Sequence, residues 1–197
     1  MLKTGITLYF VRHGETDWNR AQRYQGRRDI PINATGRLQA KHNGRKLAAA
    51  LGARAATLDY VSSPLLRASE TMEILRAAIG LDPRFYHTDE RLMEVDYGSW
   101  EGQLWHEIAR LDADGHAARQ ADAWNWQPQG GESYKMVADR VGRWLAEIVG
   151  DTVAVAHGGV SRALRALLLQ LSASEMLRLE VPQDRILVVE ANKTRWL

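Results

Sequence analysis

The chain has 197 residues, 45% of them hydrophobic and 25% charged, which is ordinary for a soluble globular protein and enough for one well-buried core. Its 26 basic and 24 acidic residues leave a net charge of only +2, so no general basic field points to nucleic acid or an anionic membrane surface. No cysteine is present, which excludes disulfides, thiolate metal sites and thiol catalysis.

The first apolar run, Ile6 to Val11, reads as a buried strand. It is too short for a signal-peptide core or a membrane span, so a cytoplasmic location is expected. The run stops at Arg12, His13 and Gly14. In open α/β sheets ligands bind beyond the carboxyl ends of strands, which makes an imidazole beside a fixed cation at that spot a candidate site. Glu15 to Pro31 is polar and punctuated by Gly26 and Pro31, and reads as a loop. For most of its arginines (Arg20, Arg23, Arg27, Arg28) a solvated face is the simpler expectation.

Asn33 or Thr35 can cap a helix with the stripe Ala40, Gly44, Leu47, Ala48 and Leu51, ending at Gly52. His42 lies off that stripe and is expected to be exposed. Leu58 to Ser62 predicts a second strand. Ser63-Pro64 then reads as a cap and first helical residue, with Ala68, Met72, Leu75 and Ile79 on the inner face of the helix that follows and Gly80 as its stop. Arg67 falls in the first turn, where unpaired N–H groups and the helix dipole suit an anion such as phosphate.

Arg84 to His87 predicts a short third strand, with His87 structural. Thr88 to Val95 is polar and contains Glu90 and Glu94. Tyr97 to Gly102 is rich in turn residues, and a short helix to about Leu111 follows. The weakly periodic stretch up to Gly131, with Trp124 and Trp126, reads as an excursion covering about 98–130, placed as a cap over a pocket. His106 and His116 have no visible role. Ser133 opens a helix with Val137, Val141, Trp144, Leu145 and Ile148 on one side and Gly150 just past its end. Thr152 to Ala156 is a strongly apolar strand that ends in His157-Gly158-Gly159. The helix after it carries Val160, Leu164, Leu167, Leu168 and Leu171, and Arg185 to Ala191 is the last strand.

Strands alternating with helices predict an α/β fold: a three-layer sandwich with a mostly parallel central sheet and helices on both faces, built as a single domain over 1–197. Three strand ends then carry Arg12 with His13, Arg67, and His157. If those strands are neighbours, two guanidiniums and two imidazoles converge on one spot, a set that fits a cluster of anionic oxygens. Arginine's planar fork matches two phosphate oxygens and stays charged. A neutral imidazole can attack phosphorus, and flanking cations favour the neutral form. An acidic group nearby can protonate the leaving oxygen. No acidic cluster with metal-ligand spacing and no Walker-type loop is visible, so arginine and histidine are expected to do the charge stabilisation that Mg²⁺ often does.

These residues also carry a resemblance. Arg12-His13-Gly14-Glu15-Thr16 with Trp18-Asn19 resembles the RHG signature of the histidine phosphatase superfamily (phosphoglycerate-mutase-like). The likeness continues in family order through Gln25-Gly26, Asp29 to Ile32, Thr35-Gly36, Ser62 to Thr71, Leu92-Met93-Glu94, Tyr97 to Gly102, Gly130 to Ser133, and Ala156 to Gly159. It implies that His13 is the nucleophile that becomes phosphohistidine. Arg12, Arg67 and His157 would hold the phosphate, and Glu94 would protonate the leaving oxygen and later activate water. Asn19, Gln25 and Gly26 would meet the substrate. The implied activity is that of a metal-independent phosphomonoesterase acting on a small phosphorylated metabolite, with no cofactor.

Phosphoglycerate mutases of the family usually follow the acidic glutamate with Arg-His-Tyr-Gly, whereas here Val95-Asp96-Tyr97-Gly98 follows Glu94. That departure favours hydrolysis over mutase-type phosphoryl transfer. The filled catalytic positions favour an enzyme over a non-catalytic phospho-ligand binding module. Trp18, Trp105, Trp124 and Trp126 could accommodate a bulky leaving group.

Overall fold

Strand β1 (Thr7–Arg12) buries side chains on both its faces, as its unbroken apolar run requires. It pairs in parallel with β4 (Thr152–Ala156), which pairs in parallel with β2 (Asp59–Ser62), and β2 with the two-residue β3 (His87–Thr88). On the other side of β1 lie two antiparallel strands, β5 (Ile186–Glu190) and β6 (Lys193–Trp196), giving the six-stranded order β3-β2-β4-β1-β5-β6. In this computed structural model residues 2–191 and 193–197 are described.

Helices cover both faces, so the chain is a three-layer α/β sandwich with a mostly parallel sheet. On one face, α2 (Ala34–Leu51) and α3 (Leu66–Ile79) pack Leu47, Ala68, Met72 and Leu75 against Tyr9, Val11, Val153 and Val155. A Cβ on Gly44 would stand 2.5 Å from the Leu75 carbonyl oxygen, which shows how closely these two helices cross. On the other face, α6 (Tyr134–Glu147) and α7 (Gly158–Leu169) pack Val137, Val141, Leu145, Val160 and Leu164 against Leu8, Phe10 and Ala154. Alternation along β1 sends its residues to the two cores in turn.

Several boundaries differ from expectation. The segment read as loop from Glu15 contains a one-turn helix, α1 (Asp17–Arg20), closed by a capping box between Thr16 and Asn19. The N-cap position of α3 is Leu65 rather than Ser63; the Ser63 hydroxyl accepts from the Leu65 N–H at 3.3 Å and meets His157, while the N–H of Leu66 is taken by Asp29 Oδ1 at 2.7 Å. The third strand pairs at His87–Thr88, with Arg84 to Tyr86 outside the sheet. Helix α6 ends at Glu147, three residues before Gly150, and α7 ends before Leu171. Within the excursion α4 (Ile108–Leu111) and α5 (Ala113–Ala121) form, anchored where Trp100 Nε1 donates to Asp112 at 2.8 Å. The helix α8 (Ala173–Arg178) and β6 were not expected. No described helix is long and apolar enough to cross a membrane.

Candidate active site

The parallel neighbours β1, β4 and β2 all end at the same edge of the sheet. Their ladder continues one step further, with the His13 N–H donating to the Ala156 carbonyl and the Ser63 N–H to the Val155 carbonyl, both at 2.9 Å. Thus His13 follows β1, His157 follows β4, and Ser63 follows β2, and the register places the three together.

His13 is 1% exposed and its ring lies 5.1 Å from that of His157. Its Nδ1 is 2.8 Å from the carbonyl oxygen of Gly14. A carbonyl only accepts, so Nδ1 carries the proton and the neutral ring presents an unprotonated Nε2. Burial, then Arg67 and Arg12, hold the His13 pKa well below the usual histidine value. His157 is fully buried and shifted the same way, by burial first and then by Arg67 and His13. Its Nε2 lies 2.7 Å from Ser63 Oγ, while its buried Nδ1 has no partner among the described residues.

Arg12 donates to the Val181 carbonyl at 2.7 Å, in the segment between α8 and β5. Burial lowers its pKa to about 10, opposed by Glu94, so it remains charged at neutral pH. Arg67 is 0% exposed, and its two terminal nitrogens donate to the carbonyls of Gly26 and Arg28 at 2.7 and 2.8 Å. It therefore fastens the Gln25–Arg28 loop to the start of α3 and leaves its buried Nε without a partner among the described residues. A hollow of about 90 Å³ is lined by Arg12, His13, Asn19, Gln25, Gly26 and Glu94, among others; Arg67 and His157 stand behind its wall rather than on it.

Glu94 enters from the turn after β3. Its Oε1 accepts from the Val95 and Gly159 N–H groups at 3.0 Å each. The second of these belongs to the first turn of α7, so the helix start fixes where the Glu94 carboxyl sits. A Cβ on residue 159 would come within 2.5 Å of Glu94 Oε1 and 2.4 Å of Val95 Cγ2, so only glycine fits there. Behind Glu94, the 8%-exposed Arg140 of α6 donates to the carbonyls of Arg91 and Glu94 at 2.6 and 3.1 Å, and to the Glu132 carboxylate at 3.0 and 3.1 Å. Glu132 in turn accepts from the Asp96 N–H at 3.2 Å. The turn that carries Glu94 is held on both sides.

Asn19 uses Oδ1 to accept from Thr16 and from Gln183 Nε2, which leaves its amide N–H for the hollow. Gln25 is buried and accepts from Thr16 Oγ1 at 2.8 Å. Sequence reasoning missed Ser63, Gln183, Arg140, Glu132 and Arg162. Arg23 lines the hollow and Arg27 pairs with Glu132 and Asp96, so these two are not merely a solvated face; Arg20 is exposed and pairs only with Asp17. Of the four tryptophans considered for the pocket, Trp105 lines it; Trp18 lies beside Gly102, Trp126 packs tilted on Trp100 with ring centroids 4.4 Å apart, and Trp124 packs on the core. Among the described residues no group of three or more His, Asp or Glu side chains is spaced to hold a metal ion.

The fold and site define an α/β protein with a buried histidine at the head of an anion-sized hollow. The family model of the histidine phosphatase superfamily (branch 1) matches residues 8–197, and the chain belongs to that family. It is 41% identical over 180 residues to the glucosyl-3-phosphoglycerate phosphatase of Mycobacterium tuberculosis, covering 83% of this chain and 75% of that protein. It is 31% identical over 197 residues to the protein named "Probable phosphoglycerate mutase GpmB" of Salmonella paratyphi C, covering 98% and 88%. Among solved structures, a mycobacterial glucosyl-3-phosphoglycerate phosphatase in complex with VO3 superposes with a TM-score of 0.78 at 32% identity, covering 98% of this chain and 96% of that one.

Proposed function

We propose that the chain is a phosphomonoesterase that removes phosphate from a small phosphorylated metabolite through a phosphohistidine at His13. The observation that carries this reading is the Nδ1 contact of His13 with the Gly14 carbonyl, which presents a neutral Nε2 at the hollow beside Arg12. In the first step Nε2 bonds to phosphorus as the bond to the ester oxygen breaks, and Glu94 gives that oxygen its proton. In the second, Glu94 takes a proton from water, the water oxygen bonds to phosphorus, and the P–N bond breaks to return the free imidazole. Arg12 and the Asn19 amide bind the phosphoryl oxygens, and Arg67 adds positive charge from behind. With Ser63 donating to its Nε2, His157 directs an Nδ1–H at the same oxygens. Gln25 and the Gly26 backbone complete the substrate contacts.

The family includes proteins named as phosphatases and as mutases. The Val95-Asp96 pair after Glu94 and the 41% likeness to a named phosphatase favour water as the acceptor. The test is steady-state phosphate release from a panel of phosphomonoesters, with and without chelator. Release at chelator-independent rates is expected. Interconversion of phosphoglycerates with negligible phosphate release would overturn the assignment.

A further inference from the structure

Gln183 does not line the reaction hollow, yet its side-chain amide reaches two of the groups that do. Its Nε2 lies 3.1 Å from the His13 carbonyl oxygen and 3.1 Å from Asn19 Oδ1, so one nitrogen gives its two hydrogens to both. Among the described residues no other side chain bonds to this pair. A carbonyl only accepts, so the Gln183 atom facing His13 is the amide nitrogen. That nitrogen in turn requires an oxygen on Asn19, as does the Thr16 N–H at 3.2 Å. Backbone groups of fixed polarity thereby set both amides, and Asn19 keeps Nδ2 as its unbonded end on the wall of the hollow.

The amide is not needed to hold the chain around it. Gln183 belongs to the segment 179–185 between α8 and β5, whose carbonyls are taken by side chains from elsewhere. Arg165 of α7 takes that of Glu180, Arg12 of β1 that of Val181 at 2.7 Å, and the fully buried Asn43 of α2 that of Gln183 itself at 2.9 Å. Pro182 fixes one further backbone angle. On the other side, α1 is closed by the capping box of Thr16 and Asn19 without Gln183. The His13–Gly14 peptide is pinned separately by Thr71, whose Oγ1 accepts the Gly14 N–H at 3.0 Å. What Gln183 adds is a preference between the two ends of the Asn19 amide. With those ends exchanged, Nδ2 would face two donors and Oδ1 would face the phosphoryl oxygens.

We propose that Gln183 is a positioning residue for phosphoryl transfer: it keeps the N–H groups of Asn19 toward the phosphoryl oxygens and ties that donor to the backbone of His13. The inference rests on the phosphatase reading of the hollow, and it gives Gln183 no contact with substrate. Because Gln183 acts through Asn19, its loss should cost less than the roughly 100- to 1,000-fold that follows removal of a preorganised donor itself.

A double-mutant cycle tests this, read by binding and by turnover. Orthovanadate is titrated by calorimetry into the unmodified protein, Gln183→Met, Asn19→Ala and the double variant, and kcat/KM on a phosphomonoester is measured for the same four. Gln183→Met keeps the length of the side chain and loses the amide. Each single substitution should weaken vanadate binding and lower kcat/KM by about tenfold, while Gln183→Met added to Asn19→Ala should change either by no more than about twofold. Gln183→Glu, which offers Asn19 an acceptor in place of a donor, should lose several-fold more than Gln183→Met, and most of that excess should vanish with Asn19→Ala. Urea unfolding of each variant accompanies the cycle. Unchanged affinity and turnover in Gln183→Met, losses that multiply in the double variant, or a Gln183→Met protein that fails to fold would each overturn the proposal. Vanadate binding without hydrolysis of any phosphomonoester would instead sink the phosphatase reading, and the binding arm of the cycle would still decide the role of Gln183.

Discussion

Ser63 Oγ lies 2.7 Å from His157 Nε2, joining the end of β2 to the end of β4. Both groups are fully buried. The contact fixes the ring plane of His157 and leaves Nδ1 as its nitrogen without a partner among the described residues, the one the proposed mechanism turns toward the phosphoryl oxygens. Ser63→Ala should therefore lower kcat by about 10- to 100-fold, less than the roughly 100- to 1,000-fold lost when a preorganised donor to a transition-state oxygen is itself removed, because Ser63 acts through His157. It should also cost about 1–3 kcal/mol of stability, because a buried imidazole nitrogen loses its partner. Steady-state kinetics and denaturant unfolding check the two effects together; Ser63→Thr, which keeps the hydroxyl, should retain most of the activity.

Arg140 holds the carbonyls of Arg91 and Glu94 while pairing with Glu132. Arg140→Leu leaves the largely buried Glu132 carboxylate without its main partner and should destabilise the protein by about 3–5 kcal/mol. Arg140→Lys, which keeps the charge but loses the fork, should stay folded while Glu94 loses its fixed position. If Glu94 is the proton donor of the proposed mechanism, alkyl phosphates should suffer more than p-nitrophenyl phosphate, whose leaving group needs little proton assistance. Equal losses on both substrates would separate Arg140 from the acid.

Gly159→Ala would set a Cβ 2.5 Å from Glu94 Oε1 and 2.4 Å from Val95. The backbone of α7 cannot yield without disturbing His157, so Glu94 must move. A fall in kcat with a stability loss of about 1–3 kcal/mol is expected, read by the same kinetics and by thermal melting.

His13 and His157 are both held below the usual histidine pKa, chiefly by burial. In the unfolded chain each takes up a proton near pH 6.5, whereas in the folded protein each stays neutral well below that value. The unfolded state thus binds more protons, and stability present above about pH 6.5 is lost as pH falls, by up to about 1.4 kcal/mol per pH unit for each imidazole. Urea unfolding between pH 5 and 7 should show this slope, and His13→Gln should reduce it. The neutral nucleophile also persists in that window, so kcat/KM should show no histidine-like fall in activity between pH 7 and 5.5.

The legible parts of this molecule are those where local pattern and tertiary environment agree. Ile6 to Val11 and Thr152 to Ala156 are apolar on both faces because the sheet is covered on both faces, and the residues that stop them, His13 and His157, mark the site. Asn33 announces its cap because the bonded Gly36 N–H is three residues away. What sequence does not show is contact across distance. Ser63 reads as a cap until β4 sets His157 beside it, and Asp29 then caps α3 from 37 residues away. Arg140 is one more helix residue until Arg91 and Glu94 fold against it. The edge strand β6, Lys-Thr-Arg-Trp, is polar on its exposed side and gives no apolar run. Arg67 is legible as a cation near the site, but that its fork is spent on the Gly26 and Arg28 carbonyls is a tertiary fact.

The most direct measurement is rapid acid-free quenching of the protein with ³²P-labelled substrate, followed by mapping of the labelled peptide. The account predicts an acid-labile, base-stable label on His13, absent in His13→Ala and accumulating in Glu94→Gln when the ester has a good leaving group. Phosphate release in single turnover without any label on residue 13, or a label that survives in His13→Ala, would contradict it.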